Sequence, residues 1–114
     1  MKGSWHVSTS DAAALSPPEG RRSAEALRYG SLEVRYYAPR ETDPQTPHDR
    51  DEVYIVASGR GFFVRGAERV AFEPGDMLFV PAQVEHRFED FSPDFATWVL
   101  FYGPAGGERE NPFI

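Results

Sequence analysis

Thr46-Pro-His-Asp-Arg-Asp-Glu-Val-Tyr-Ile-Val-Ala-Ser-Gly59 is the stretch whose reading decides the fold of this chain. Its second half contains Val53-Tyr-Ile-Val-Ala57, a β-branched and aromatic run suited to a pleated sheet, and Ser58-Gly-Arg-Gly61 ends that run with turn residues. At its entrance stand His48 and Glu52, four residues apart. Side chains of an extended chain alternate with a period of two, so this even separation predicts an imidazole and a carboxylate on one face. A metal ion fits between such a pair.

Downstream, Phe62-Phe-Val64 reads as the returning strand of a hairpin and Gly66-Ala-Glu-Arg69 as the next turn. Val70-Ala-Phe72, the turn Glu73-Pro-Gly-Asp76 and Met77-Leu-Phe-Val80 continue a meander, which Pro81 ends because it cannot donate to a ladder. His86-Arg-Phe88 follows, carrying the only other histidine in the body of the chain. Phe95-Ala-Thr-Trp-Val-Leu-Phe-Tyr102 is apolar on both alternating faces, as expected of a central strand or one that meets another subunit. Upstream, Leu32, Val34 and Tyr36 alternate with Glu33, Arg35 and Tyr37, which predicts one buried and one solvated or interfacial face with Tyr37 at a rim. Residues 38–50 carry Pro39, Pro44 and Pro47 and form an irregular loop. In the first segment Trp5 and Val7 suggest a short strand, and Ser10-Asp-Ala-Ala-Ala-Leu15 a capped helical turn stopped by Pro17-Pro18. The resulting division is an N-terminal arm over 1–22, a β-barrel over 23–104 and a tail over 105–114 with little to pack. Short strands at regular spacing without intervening helices argue for an all-β antiparallel jelly roll or barrel.

Composition bounds the function. A chain of 114 residues fits one domain, which buries about 65% of the surface its unfolded form exposes. Twelve basic against 18 acidic residues leave a net charge of −6, which repels phosphate backbones and makes nucleic acid an unsuitable partner. Cysteine is absent, so any metal is held by nitrogen and oxygen. No stretch approaches the ~20 apolar residues needed to span a bilayer, and the expectation is a cytoplasmic protein.

With these residues in view, the chain resembles the cupins, small β-barrel proteins, over about Leu32 to Tyr102. Their first motif is His-x-His, three or four residues, Glu, six residues, Gly. Counted back from Gly59 it falls on Glu52 and His48, with Thr46 in place of its first histidine and Arg40 where it opens with glycine. Their second motif, Gly, five residues, Pro-x-Gly-x-x-His-x-x-x-Asn, falls on Gly75, Pro81, Gln83, His86 and Asp90. The spacing is kept while the inner glycine and the asparagine are replaced. The resemblance implies a double-stranded β-helix, or jelly-roll, barrel and a divalent transition metal, iron, zinc, manganese or nickel, on His48, Glu52 and His86.

Two imidazoles and a carboxylate with open positions are the donor set of non-haem iron oxygenases. The expected function is a metal-binding cupin, a metal-dependent dioxygenase or isomerase of a small molecule in the barrel, with a non-catalytic metal- or ligand-binding module as the alternative. Gln45 is the nearest substitute for the missing histidine. Its amide oxygen binds metal if the proline-rich approach turns it inward, and otherwise it hydrogen-bonds a loop or a metal-bound water. For Glu52 the plain alternative is a rim pair with Arg50 or Arg87, worth about 0–1 kcal/mol when exposed. Arg50 and Asp51, between the ligands, are expected to face outward or shape the rim, and His6 to be an ordinary terminal histidine. A homodimer is expected through sheet faces or edges, because the last strand and the Trp5-containing arm carry more apolar surface than one small barrel buries.

Overall fold

The computed structural model describes residues 2, 3 and 5–109. Its elements are β1 (Lys2–Gly3), α1 (Thr9–Ala13), β2 (Ala24–Tyr29), β3 (Leu32–Tyr37), β4 (Asp51–Ser58), β5 (Gly61–Arg65), β6 (Glu68–Phe72), β7 (Met77–Val80), β8 (His86–Glu89) and β9 (Ala96–Tyr102). One sheet runs β1-β2-β3-β9-β4-β7 and the other β6-β5-β8, with every pairing antiparallel. The all-β expectation is met, and the apolar last strand is central, between β3 and β4.

The predicted hairpin between β4 and β5 does not form. β4 pairs with β9 and β7, whereas β5 pairs with β6 and β8 in the opposite sheet. Turn residues mark where a chain bends and say nothing about which strand it meets next. Gly59 makes this crossing possible: its φ is +82°, and a Cβ there would stand 2.5 Å from the Phe95 backbone. The meander fails for the same reason at β6 and β7, which lie in different sheets.

In-register rows of side chains show what faces inward. Glu33, Phe101, Glu52 and Val80 form one cross-strand row, and Arg35, Val99, Tyr54 and Leu78 the next. The orientation of β3 is thus the reverse of its hydrophobic pattern: Glu33, Arg35 and Tyr37 are buried, and Leu32 and Val34 lie half-exposed on the outer face. Buried charge is tolerated there because it is paired. Arg35 meets Glu33 at 2.8 Å and gives its other N–H groups to the Ser23 hydroxyl and carbonyl, both at 2.6 Å. Tyr37 is buried rather than at a rim.

Phe88 anchors the core, its ring meeting those of Phe95, Phe63, Tyr54 and Phe72 at centroid distances from 4.7 to 5.5 Å. Each such side chain contributes about 1.5–3 kcal/mol on full burial. These rings fill the barrel around the middle and far end of β4, leaving the end that begins at Glu52 for polar groups.

The arm also departs from expectation. The strand is Lys2–Gly3 rather than Trp5–Val7, and the helix spans Thr9–Ala13, capped by the Ser8 hydroxyl accepting from Asp11 N–H at 3.0 Å. Ser8 competes better than Ser10 because its oxygen reaches the third following amide. Val7 and Ala12 pack on Tyr36, Ala96 and Trp98 of the barrel's outer face, while Trp5 stays 86% exposed. Asp51 is buried, not outward: it accepts from Ala82 N–H at 2.9 Å and Glu108 N–H at 2.7 Å. The described part of the tail is therefore tied down. Among the described residues no helix is long and apolar enough to cross a membrane.

Candidate metal centre

Glu52 is the second residue of β4 and His86 the first of β8, so each sheet contributes one group. His48 arrives from the loop before β4. Its approach does not follow strand alternation, because β4 begins only at Asp51. Instead the loop is clamped to the turn that precedes His86: the Gln83 N–H donates to the His48 carbonyl at 2.6 Å, and the Gln83 amide donates to Asp49 at 2.8 Å. Gln83 has φ +70° and Asp90 +48°. The two positions where the chain departs from the second motif thus keep the left-handed backbone, which asparagine and aspartate tolerate and other side chains adopt at a cost of about 1–2 kcal/mol.

The three side chains present one donor atom each within 4.8 Å of one another. Glu52 Oε1 lies 3.1 Å from His86 Nε2 and 3.9 Å from His48 Nε2. Glu52 and His86 are 1% and 2% exposed, and among the described residues neither facing atom has a hydrogen bond. Buried polar atoms without partners are costly, and a cation between them removes that cost. Neither Arg50 nor Arg87 pairs with Glu52: Arg50 reaches Glu33 and the Ser31 carbonyl, and Arg87 reaches Glu85 and Glu89. The donors present fit a divalent metal.

Protonation favours that fit at His48, while at His86 a metal has to displace a proton held more tightly than usual. Burial pushes the His48 imidazole below its ordinary range, helped by His86 and opposed by Glu52, so it is neutral near neutral pH. Burial also acts downward on His86, but the Glu52 carboxylate and the hydrogen bond to the Val84 carbonyl prevail and raise it. That bond, 2.9 Å from Nδ1, fixes the ring so that Nε2 faces Glu52.

Gln45 is half-buried beside these groups, while Thr46 is exposed. The Gln45 amide nitrogen donates to Asp43 at 2.8 Å, which turns its oxygen toward the Tyr54 hydroxyl at 3.0 Å and His48 Nε2 at 3.2 Å. Burial, followed by Glu52, holds the Tyr54 phenol well above its ordinary range and keeps it a donor. Asp43, which drew no attention in the sequence, is buried and also accepts from Tyr37 and from the Phe88 N–H at 2.8 Å. The other residues missed were Arg22, Arg35 and Tyr37, which line the adjoining cavity of about 210 Å³ with Gln45, His48 and Glu52. The signal for two of them lay in β3, where charges at alternate positions of an apolar strand mark a polar inward face.

A cupin domain model matches residues 34–102. The chain belongs to the cupin family. This cupin is 40% identical over 80 residues to an uncharacterised protein of Streptomyces coelicolor, the match covering 68% of this chain and 76% of that one. It is 36% identical over 100 residues to acireductone dioxygenase 2 of Nocardia farcinica, covering 70% of this chain and 52% of the dioxygenase. The cupin thus spans about half of that relative's length. A cupin-2 domain protein of Shewanella frigidimarina superposes with a TM-score of 0.66 at 16% identity, covering 85% of this chain and 94% of the other. That likeness is one of fold and makes the two sheets a jelly-roll barrel.

Proposed function

We propose that this cupin is a metal-dependent enzyme that acts on a small molecule in its cavity, with His48, Glu52 and His86 holding a divalent transition metal and Gln45 supplying a fourth oxygen donor. The observation that carries the reading is the pair of buried atoms, Glu52 Oε1 and His86 Nε2, that face each other without a hydrogen bond. The metal supplies Lewis-acid polarisation of substrate oxygens or activation of dioxygen or water. Val99 and Phe101 form the apolar wall that limits water, and the Asp43–Gln45–Tyr54 chain of hydrogen bonds orients the polar side. Similarity to acireductone dioxygenases supports oxygenase over isomerase chemistry. The same proposal includes a homodimer.

The test is reconstitution with iron, nickel, manganese or zinc, followed by elemental analysis and oxygen uptake on acireductones, thiols, diketones and catechols. One metal per chain, metal-dependent uptake and loss of both in His86→Ala are expected. A chain that binds one metal and turns over no substrate is instead a non-catalytic ligand-binding cupin. Unchanged metal content in His86→Ala removes His86 from the site.

A further inference from the structure

The cavity has two unlike walls. On one stand His48, Glu52 and Gln45, and on the other Arg21, Arg22, Arg35 and Tyr37, with Val99 and Phe101 between. Although the chain carries a net charge of −6, five arginines, at 21, 22, 28, 35 and 50, lie on this side, and four of them meet Glu25 or Glu33. Most of that positive charge is committed. Each nitrogen of Arg35 has a partner in Glu33 or Ser23, Arg28 pairs with Glu25 at 2.6 Å, Arg50 lies 3.4 Å from Glu33 and Arg21 4.0 Å from it. Arg22 is exposed to solvent and, among the described residues, has no hydrogen-bond or ion-pair partner, yet it lines the cavity. Its charge opposes the upward shift of the Tyr37 phenol.

Tyr37 adds a second constraint. Its hydroxyl proton is given to Asp43, and burial with that carboxylate keeps the phenol protonated far above its ordinary range. What it offers to the cavity is therefore a lone pair, which accepts a hydrogen bond and cannot donate one. A cavity of about 210 Å³ lies below the roughly 300–1,000 Å³ of drug-sized ligand sites, so the occupant is small.

We propose that the cavity is built for a small hydroxycarboxylate-type anion, its carboxylate held by Arg22 and its hydroxyl donated to Tyr37, facing the metal donors across the pocket. The inference deepens the proposed function and rests on it for what the metal side does, but the anion contact itself belongs to Arg22. An arginine–carboxylate contact is bidentate and charge-assisted, which distinguishes it from a general preference for polar ligands.

The test uses glycolate, its neutral analogue glycolamide, and acetate, titrated calorimetrically into wild type, Arg22→Gln and Arg22→Lys, each in zinc-loaded and metal-free form. Chelation of zinc by glycolate contributes equally to wild type and the Arg22 variants, so it cancels in their ratio. The expected result is a preference of glycolate over glycolamide that falls about tenfold in Arg22→Gln and partly returns in Arg22→Lys. Tyr37→Phe is expected to weaken glycolate but not acetate. A glycolate preference unchanged in Arg22→Gln in both metal states overturns the proposal. Loss of the preference on that substitution in a chain that takes up no zinc supports it while removing the metal centre.

Discussion

Glu52 of one sheet and His86 of the other meet across the barrel with Oε1 and Nε2 3.1 Å apart, and among the described residues neither atom has a hydrogen bond. In the metal-free chain this contact helps to raise the His86 pKa above its ordinary 6.5. The stability that the raised pKa contributes is fully present below the unfolded value and is lost as pH rises through the folded one. A metal ion displaces the His86 proton, so metal binding has the opposite dependence and weakens as pH falls through the same raised value. Melting curves of zinc-loaded and metal-free protein between about pH 5 and pH 8 check this. The zinc-induced gain in Tm should shrink steadily on acidification, and a gain independent of pH would mean that His86 is not a ligand.

Gln45→Ala is expected to weaken metal binding about tenfold, since the amide oxygen is aimed at the site by Asp43 and Tyr54. Thr46→His, by contrast, should leave affinity unchanged, because position 46 is exposed. Competition with a chromophoric chelator measures both. Tighter binding by Thr46→His would show that the loop rearranges to restore the missing donor.

Gly59 and Gly75 separate backbone strain from collision. Both have positive φ, +82° and +92°, but a Cβ at Gly59 would press on Phe95 at 2.5 Å and one at Gly75 meets nothing within 4 Å. Gly75→Ala should cost about 1 kcal/mol and Gly59→Ala about 2–4 kcal/mol. Urea denaturation of the two variants reads the difference, and equal losses would refute the role assigned to the crossing at Gly59.

The outer face of the larger sheet carries an apolar row across four strands, Val34, Leu100, Val53 and Phe79, next to Ile55 and Met77, while Tyr36 and Trp98 of that second row lie under the arm. Met77 is 60% exposed and Phe79 39%. We expect this face to pair with a second copy, burying on the order of 800 Å² per chain. Sedimentation should report two chains at micromolar concentration, and Ile55→Lys with Met77→Lys should leave a folded monomer. A dimer unaffected by that double substitution would place the contact elsewhere, with the exposed Trp5 the next surface to test.

Much of the barrel and of the site could be read directly from the residues. The β-branched run after Glu52, the turn residues at Gly59, Gly66 and Gly75, and the apolar strand ending at Tyr102 announce short strands, because propensity and turn chemistry act over a few neighbours. The resemblance carried by the spacing of His48, Glu52 and His86 likewise named three candidate donors, since motif spacing is a property of the chain itself. Asp43 and Arg22 carried no such mark: Asp43 matters because folding brings it beside Gln45 and Tyr37, and Arg22 because it lies over a cavity that no local pattern describes.

By itself, then, the sequence determined the strand content, the bends and the three candidate donors, all set by local stereochemistry and residue type. Tertiary structure alone decided that β4 and β5 part into opposite sheets, that the charged face of β3 turns inward, and that Glu52 meets His86. Those outcomes depend on which distant strands pair and on whether a buried charge finds its partner. Arg35 can face inward only because Glu33 and Ser23 satisfy it there, a balance of long-range contacts that no window along the chain contains.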